Sequence, residues 1–412
     1  MLKKNFCLIF LFMINSASFA STTFSSINGS NGDLDSRLAN EMGVSIVRVD
    51  VSWSQIEKVK GVYDWHIYDK RIKNIKNKGL QVLPVLAYTP EWNRVYPGKT
   101  GSPPRDYLLW DNFVNAAVAR YSSAPYNIKY FQIWNEPTKK AKYWLAPTKE
   151  FIEKIYIPAA KIVRLNKGLV VFGGWPASNS LTELDYAMFG LGAIQYTDII
   201  DFHYGNEGPY EHLYSKYLKP GLVKGIWQTE LGYRTGTNEL LRIYLTIFHW
   251  MLIHNWIAND QYKLFWYPGW ASTGKEPRGL TISLNSKEMI LTSNGEQLKL
   301  LNSLYEGGTL KLLNLTSFST INDKEKLIFA VSVGRKKIII ANVFPRKQKN
   351  ISNSIDYNLK LPYKPSSVYT ITPDAIMHKL DYEYSSGYLT FSYNTQKNNS
   401  GFSNIFFFCI LQ

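Results

Sequence analysis

Between residues 22 and 305 the sequence repeats one pattern: a short apolar run, then a longer amphipathic stretch. The runs are Ile46 to Asp50, Gln81 to Ala87, Tyr130 to Trp134, Leu169 to Gly173, Ile199 to His203, Gly225 to Glu230 and Tyr262 to Trp266, with Phe24 to Ile27 as a weaker first member. The stretches between them carry helical periodicity, for example Asp33 to Met42, Tyr107 to Tyr121 and Lys149 to Leu165. A helix-length connection after each strand returns the chain for a parallel partner, so a parallel sheet is expected, and eight units in about 285 residues fit a closed barrel better than an open sheet. Eight such units in one domain predict a closed (β/α)8 barrel over residues 21–305.

At Glu306-Gly307-Gly308 the character changes. Strand-like runs follow at Lys326 to Val333, Lys337 to Val343, Ser366 to Ile371, Tyr388 to Tyr393 and Ile405 to Leu411, separated by turn residues and without a helical pattern. Residues 306–412 therefore predict a C-terminal antiparallel β-sandwich domain.

The amino-terminal residues have an export signal's layout: basic Lys3 and Lys4, the apolar run Phe6 to Met13, and Ser18-Phe19-Ala20 as a small-x-small cleavage site. Residues 1–20 are expected to be removed, leaving an exported chain that is periplasmic or extracellular. The mature chain would keep one cysteine, Cys409, so no internal disulfide is expected; its apolar surroundings make it a buried small hydrophobe. Leu240 to Ala258 is nearly all apolar but carries Arg242, His249, His254 and Asn255 where a barrel helix is due. It reads as a buried outer helix, with no stable membrane insertion.

The formal charge of +15 falls by two once Lys3 and Lys4 are lost. An exported basic protein meets anionic polysaccharide, lipid headgroups or cell wall. No basic stripe interleaved with aromatics points to nucleic acid. No His/Cys/Asp cluster has metal-ligand spacing and there is no Gly-rich phosphate loop, so neither metal nor other cofactor is expected. Aromatic residues make up 15% of the chain, in keeping with a carbohydrate partner, since sugar faces stack on exposed rings.

Two carboxylates stand where barrel chemistry happens. Phe131-Gln132-Ile133-Trp134-Asn135-Glu136-Pro137 is an apolar strand ending in Asn-Glu-Pro, and Gly225-Ile226-Trp227-Gln228-Thr229-Glu230-Leu231-Gly232 is a second strand ending in Glu. Side chains at strand C-termini point into the mouth of a barrel. At about 31 residues per β/α unit, Glu230 lies three units beyond Glu136, on strand 7 if Glu136 is on strand 4. Those strands face each other, so the two carboxylates can straddle a glycosidic bond; a separation of about 5–5.5 Å would give retention of anomeric configuration.

A strand-4 Asn-Glu-Pro with a strand-7 Glu resembles the clan A glycoside hydrolases, and family 39 above all, including exported bacterial glycosidases that act on exopolysaccharide. The resemblance covers the barrel and extends loosely to the β-sandwich. It implies Glu136 as acid/base, Glu230 as nucleophile and Asn135 as partner of the sugar 2-hydroxyl. Val47-Arg48-Val49-Asp50 is similar to the strand-2 segment whose Arg supports the nucleophile, here Arg48. Asp201-Phe202-His203-Tyr204 is similar to the strand-6 segment that sets a His or Tyr near it, here His203 and Tyr204. Phe265-Trp266-Tyr267 is similar to the strand-8 end whose Trp floors the subsite of the cleaved sugar, here Trp266. Trp92, after strand 3, is a candidate sugar-stacking ring, whereas strand alternation turns Trp134 away from Asn135 and into packing.

The expected activity is hydrolysis of O-glycosidic bonds of a poly- or oligosaccharide by double displacement. The short first unit, Ser21 to Ser45, trims the rim and favours an open groove and internal cleavage. Two rival readings keep the same fold: a transglycosylase in polysaccharide assembly, differing only in acceptor, and a non-catalytic glycan-binding protein, which the intact Glu pair argues against.

Overall fold

The computed structural model describes residues 23–205, 207–233, 235–254, 261–271, 278–285, 288–313, 327–334, 337–344, 354–371, 376–394 and 405–411 of the chain. The export signal read at residues 1–20 lies outside the described residues.

Eight parallel strands close into a barrel: β1 (Asn28–Asn31), β2 (Ile46–Ser52), β3 (Gln81–Ala87), β4 (Tyr130–Ile133), β5 (Leu169–Phe172), β6 (Ile199–His203), β7 (Gly225–Leu231) and β8 (Tyr262–Trp266). Each strand pairs with the next, Val171 of β5 meets Ile199 of β6, and β1 pairs with both β2 and β8. The first strand is displaced from its expected place. Phe24 to Ile27 is not extended; Ser25–Ile27 is a 3-10 turn. Phe24 stacks on Tyr305 and meets Phe248 edge-on, so this apolar run packs beneath the barrel while polar Asn28–Asn31 forms the strand.

The barrel interior is built in tiers because successive side chains on a strand alternate faces. The lowest tier holds Ile46, Leu83, Tyr130, Val171, Ile199, Trp227 and Phe265, one residue from each of β2 to β8 and all buried. β1 contributes Gly29, where a Cβ would lie 2.5 Å from the Phe265 ring; the ring occupies the space a side chain would need. Burying each large side chain of this tier contributes about 1.5–3 kcal/mol. Two residues further along the strands the interior turns polar: Arg48, Gln132, Asp201 and Thr229 are all buried. This second tier is the floor of the site.

Helices cover the outside. Asp35 caps Ser36–Glu41 through its side chain, Tyr107–Ser122 lies opposite Ile157–Leu165, and the apolar stretch near residue 240 is a 15-residue helix, Glu239–Ile253, buried against the barrel. No helix among the described residues is long and apolar enough to cross a membrane.

The barrel's last helix, Ser293–Tyr305, leads into an antiparallel domain in which no described residue is helical. Its strands are β9 (Leu310–Leu313), β10 (Leu327–Val333), β11 (Lys337–Phe344), β12 (Ser354–Lys360), β13 (Ser367–Ile371), β14 (Met377–Lys379), β15 (Glu383–Ser385), β16 (Tyr388–Asn394) and β17 (Ile405–Leu411). One sheet runs β9-β10-β11-β17-β13-β14 and the other β12-β16-β15. Alternation along β17 divides its side chains. Phe407 and Cys409 enter the core between the sheets, whereas Phe408 joins the barrel's hydrophobic cluster with Val331, Ile339 and Ile371. Burial pushes the Cys409 thiol up to about 12, so it behaves as a small apolar side chain.

Candidate active site

The C-terminal ends of β2, β4, β6 and β7 bring six of the eight expected site residues together: Arg48, Asn135, Glu136, His203, Tyr204 and Glu230. Local backbone irregularities aim them. On β4 the interior column runs Tyr130, Gln132 and would continue to Trp134. Trp134 instead takes φ 68°, which breaks the alternation. Its indole turns outward among Trp110, Trp144 and Phe151, and Asn135 faces the cleft. Glu136 follows at φ 42° with its N–H held by the Gly173 carbonyl at 2.7 Å.

Strand β7 uses a different device. Trp227 and Thr229 point inward, so Glu230 by alternation should point out. Between Gln228 and Leu231 the pairing with β8 slips, one residue on β8, Phe265, opposing two on β7, Thr229 and Glu230. This bulge turns Glu230 into the cleft. Tyr88 (φ 70°) and Tyr204 (φ 53°) are also left-handed at this rim. Strained non-glycine residues gathered at one mouth mark a built site.

The two glutamates approach closely: a carboxylate oxygen of each lies within 4.8 Å of the other and of a His203 ring nitrogen. His203 is fully buried, with Nδ1 3.1 Å from Glu136 Oε1 and 3.7 Å from Glu230 Oε2. Its Nε2 is 3.3 Å from Asp201 Oδ2 and 3.2 Å from Thr229 Oγ1. Asp201, itself buried, accepts from the Thr229 backbone N–H at 2.9 Å and its hydroxyl at 2.5 Å. Burial alone would lower the proton affinity of His203. The Asp201 charge and hydrogen bond, with Glu136 and Glu230 beyond, outweigh it and raise the imidazole to about 9. At neutral pH it is a buried imidazolium donating to Asp201 and to Glu136.

Arg48 supplies the second buried cation. It donates through Nε to Gln132 at 3.0 Å and through Nη2 to Asn135 Oδ1 at 2.6 Å. Its Nη1 lies 3.8 Å from both Glu230 and Asp50. Burial opposes the charge, but Asp50, Glu230 and Asp201 raise its proton affinity overall. Fixing the Asn135 carbonyl this way leaves its amide N–H groups to face the cleft. Tyr204 donates its hydroxyl to Glu230 Oε1 at 3.2 Å; burial and the Glu230 charge hold that phenol protonated. Glu136, His203 and Glu230 are the one group among the described residues that could hold a metal ion. An ion there would have to displace the proton of that imidazole and sit beside the Arg48 guanidinium.

Two expectations are corrected or displaced. Trp266 is fully buried: its ring packs on Tyr244 and Tyr233 and its indole N–H donates to the Arg278 carbonyl at 2.6 Å. Strand alternation explains it, because Phe265 takes the inward position and its neighbour must point to the helices. Trp266 therefore offers no face to a sugar. Trp92 is half-buried, edge-on to Trp53, and its indole N–H donates to the Glu57 carbonyl at 2.7 Å. Reading the sequence also passed over Asp201, Gln132, Thr229, Tyr88 and Tyr143. Burial first, then nearby charges that include Glu230 and Asp50, raises the phenols of Tyr88 and Tyr143, which puts both rings at this mouth. Polar residues at inward positions of buried strands, two beyond an apolar one, were the available signal for Gln132, Asp201 and Thr229.

A sequence model of glycoside hydrolase family 42, the β-galactosidases, matches residues 27–106, from β1 past β3. Among solved structures the chain is similar to a family 30 endoxylanase from Clostridium papyrosolvens C71, at 14% identity and TM-score 0.63, covering 95% of this chain and 97% of that one. A family 39 glycoside hydrolase from Bacteroides cellulosilyticus WH2 matches at 14% identity and TM-score 0.63, covering 94% and 82%. The catalytic domain of a family 30 xylanase from Talaromyces cellulolyticus matches at 13% identity and TM-score 0.59, covering 96% and 98%. At these identities the likeness is one of fold. It agrees with the resemblance to clan A glycoside hydrolases read from the sequence, and families 30 and 39 fit the coordinates equally well.

Proposed function

We propose that this protein is a retaining glycoside hydrolase, exported to the periplasm or beyond, that cleaves O-glycosidic bonds inside a polysaccharide chain. The observation that carries the reading is the Glu136–Glu230 pair: oxygens within 4.8 Å of each other, at the ends of opposite barrel strands. Retaining enzymes hold their carboxyl groups about 5–5.5 Å apart, whereas inverting ones leave about 6.5–9.5 Å for a water. Glu230, between Arg48 and the Tyr204 hydroxyl, is the nucleophile. It attacks the anomeric carbon while Glu136 gives its proton to the leaving oxygen. Glu136 then takes a proton from water, which displaces Glu230 and releases the sugar with its configuration retained. Asn135, oriented by Arg48, donates to the 2-hydroxyl. The family 30 and 39 likenesses support this chemistry, and the endoxylanase among them agrees with internal cleavage.

The test is intact-protein mass spectrometry after incubation with a panel of 2-deoxy-2-fluoro glycosides, followed by peptide mapping. A glycosyl adduct on Glu230 is the expected result. An adduct on a different carboxylate would remove Glu230 from the nucleophile's role.

A further inference from the structure

We infer that a cavity of about 620 Å³ beside the catalytic mouth, on the β1/β8 side, is a distal subsite for an uncharged sugar unit of the same substrate, with Trp270 as its stacking platform. The inference rests on the glycosidase reading and extends it to substrate class. The cavity is lined by the end of β1 (Asn31) and the segment after it (Asp33), by Arg71, and by the segment after β8 (Pro268, Trp270, Glu288). Its walls continue into those of the active site. Asn31 pairs with Arg48 across β1 and β2, and the Gly32 N–H donates to the Arg48 carbonyl at 3.2 Å. On the other side the Tyr267 N–H donates to Leu231, the neighbour of Glu230, and Pro268 follows. Strands lie about 4.8 Å apart, so β1 stands about 10 Å from β7. A short oligosaccharide cleaved at Glu230 can reach that far; a single sugar cannot.

Three features identify the occupant. Trp270 is 46% exposed, an unusual cost for the largest apolar side chain, yet its backbone is fixed. Trp270 pairs with Thr281, and the adjoining Gly269 N–H is held by the Asn31 carbonyl at 2.8 Å. A rigid, exposed indole is what a pyranose face stacks on. Next, Asn31 lines the cavity and its buried Nδ2 has no hydrogen-bond partner. Finally, the lining sets three carboxylates, Asp33, Asp35 and Glu288, against two cations, Arg71 and Lys78. Arg71 is bound by both oxygens of Asp33, at 2.9 and 3.1 Å, and Lys78 donates to the Leu34 carbonyl at 2.7 Å. Asp35 and Glu288 add further negative charge. Although the whole chain is strongly basic, this cavity repels a uronate and suits a neutral sugar.

The experiment is calorimetric titration in the Glu230→Gln background, so that turnover does not intervene. The probes are xylotetraose, β-1,6-linked glucotetraose and β-1,4-linked galactotetraose, with tetragalacturonate as the anionic comparison. At least one neutral tetrasaccharide should bind, tetragalacturonate at least tenfold more weakly. Trp270→Ala should weaken the neutral ligand about tenfold, and Trp270→Phe, which keeps an aromatic face, no more than about threefold. Thermal melts confirm that each variant is folded. Failure of all three neutral probes to bind, equal binding to Trp270→Ala, or preference for tetragalacturonate would overturn the subsite. Turnover is read separately on the unsubstituted protein. If no probe is cleaved but the Trp270 pattern holds, the hydrolase reading fails and the subsite stands.

Discussion

His203 makes folding stability depend on pH in a window where few other groups titrate, and the dependence can be worked from its surroundings. Its proton affinity is raised to about 9 in the folded chain, against an ordinary 6.5. A group whose folded value lies above its unfolded value stabilises the fold fully below the unfolded value. That contribution is lost as pH rises through the folded value. The window here therefore runs from pH 6.5 to about 9. At 1.36 kcal/mol per decade the contribution is about 3 kcal/mol. His203→Gln removes it while keeping a polar side chain of similar length. The variant also removes the cation hydrogen-bonded to Asp201, leaving that carboxylate the two bonds from Thr229 and the charge of Arg48. Urea unfolding of both proteins at pH 6, 7, 8, 9 and 9.5 isolates the first effect, because other groups titrate alike in the two chains. The stability gap between wild type and variant should narrow by about 3 kcal/mol from pH 6 to pH 9.5. Parallel curves across that range would mean His203 is neutral in the folded protein, and the buried imidazolium beneath the glutamates would have to be abandoned.

Two further outcomes test the site. Tyr204→Phe removes the 3.2 Å hydrogen bond to Glu230 and nothing else of comparable strength. Bonds to a charged acceptor are worth about 1.5–3 kcal/mol, so kcat/KM on an aryl glycoside should fall about 10- to 100-fold, with melting nearly unchanged; an equal loss of stability would assign the residue to packing. Trp266→Ala should do the reverse, costing about 3–5 kcal/mol of stability as a buried aromatic. KM should be retained wherever the variant is folded, and a selective rise in KM would restore Trp266 to the sugar's floor.

The barrel was legible because its strands are buried on both faces and so read as apolar runs of the right length and spacing. Seven of them matched directly. The eighth, β1, was hidden by a reversal of roles. Its residues Asn28–Asn31 carry no apolar side chain because Phe265 from β8 fills the space above Gly29, while the apolar residues just before it serve the barrel's underside. A local reading of hydrophobicity assigns the strand to the wrong side of that boundary. The failure at Trp266 has a similar origin. Motif likeness put it in the cleft, but parity on β8 belongs to Phe265, and parity is settled by which residue fills the lowest tier, a fact distributed over seven strands.

The glutamates show the opposite case: the structure brings the two side chains together although simple parity would part them. Alternation along β7 sends Glu230 outward, and along β4 it sends Trp134 inward; a bulge reverses the first and a left-handed residue the second. Neither device leaves a glycine or proline at the residue it reorients, so neither is visible as turn chemistry. What holds them is the polar tier below: Arg48 grips Asn135, Asp201 grips Thr229 beside the bulge, and His203 spans Asp201 and Glu136. Gly174, at φ +65° with a virtual Cβ 2.4 Å from His203, lets the turn after β5 close over that imidazole. The buried charges thus have two tasks. They set the electrostatics of the carboxylate pair, and they stabilise the strained backbone that brings the pair together. That coupling explains why a tier of Arg, Asp, His and Gln is kept inside a barrel that apolar residues could have filled.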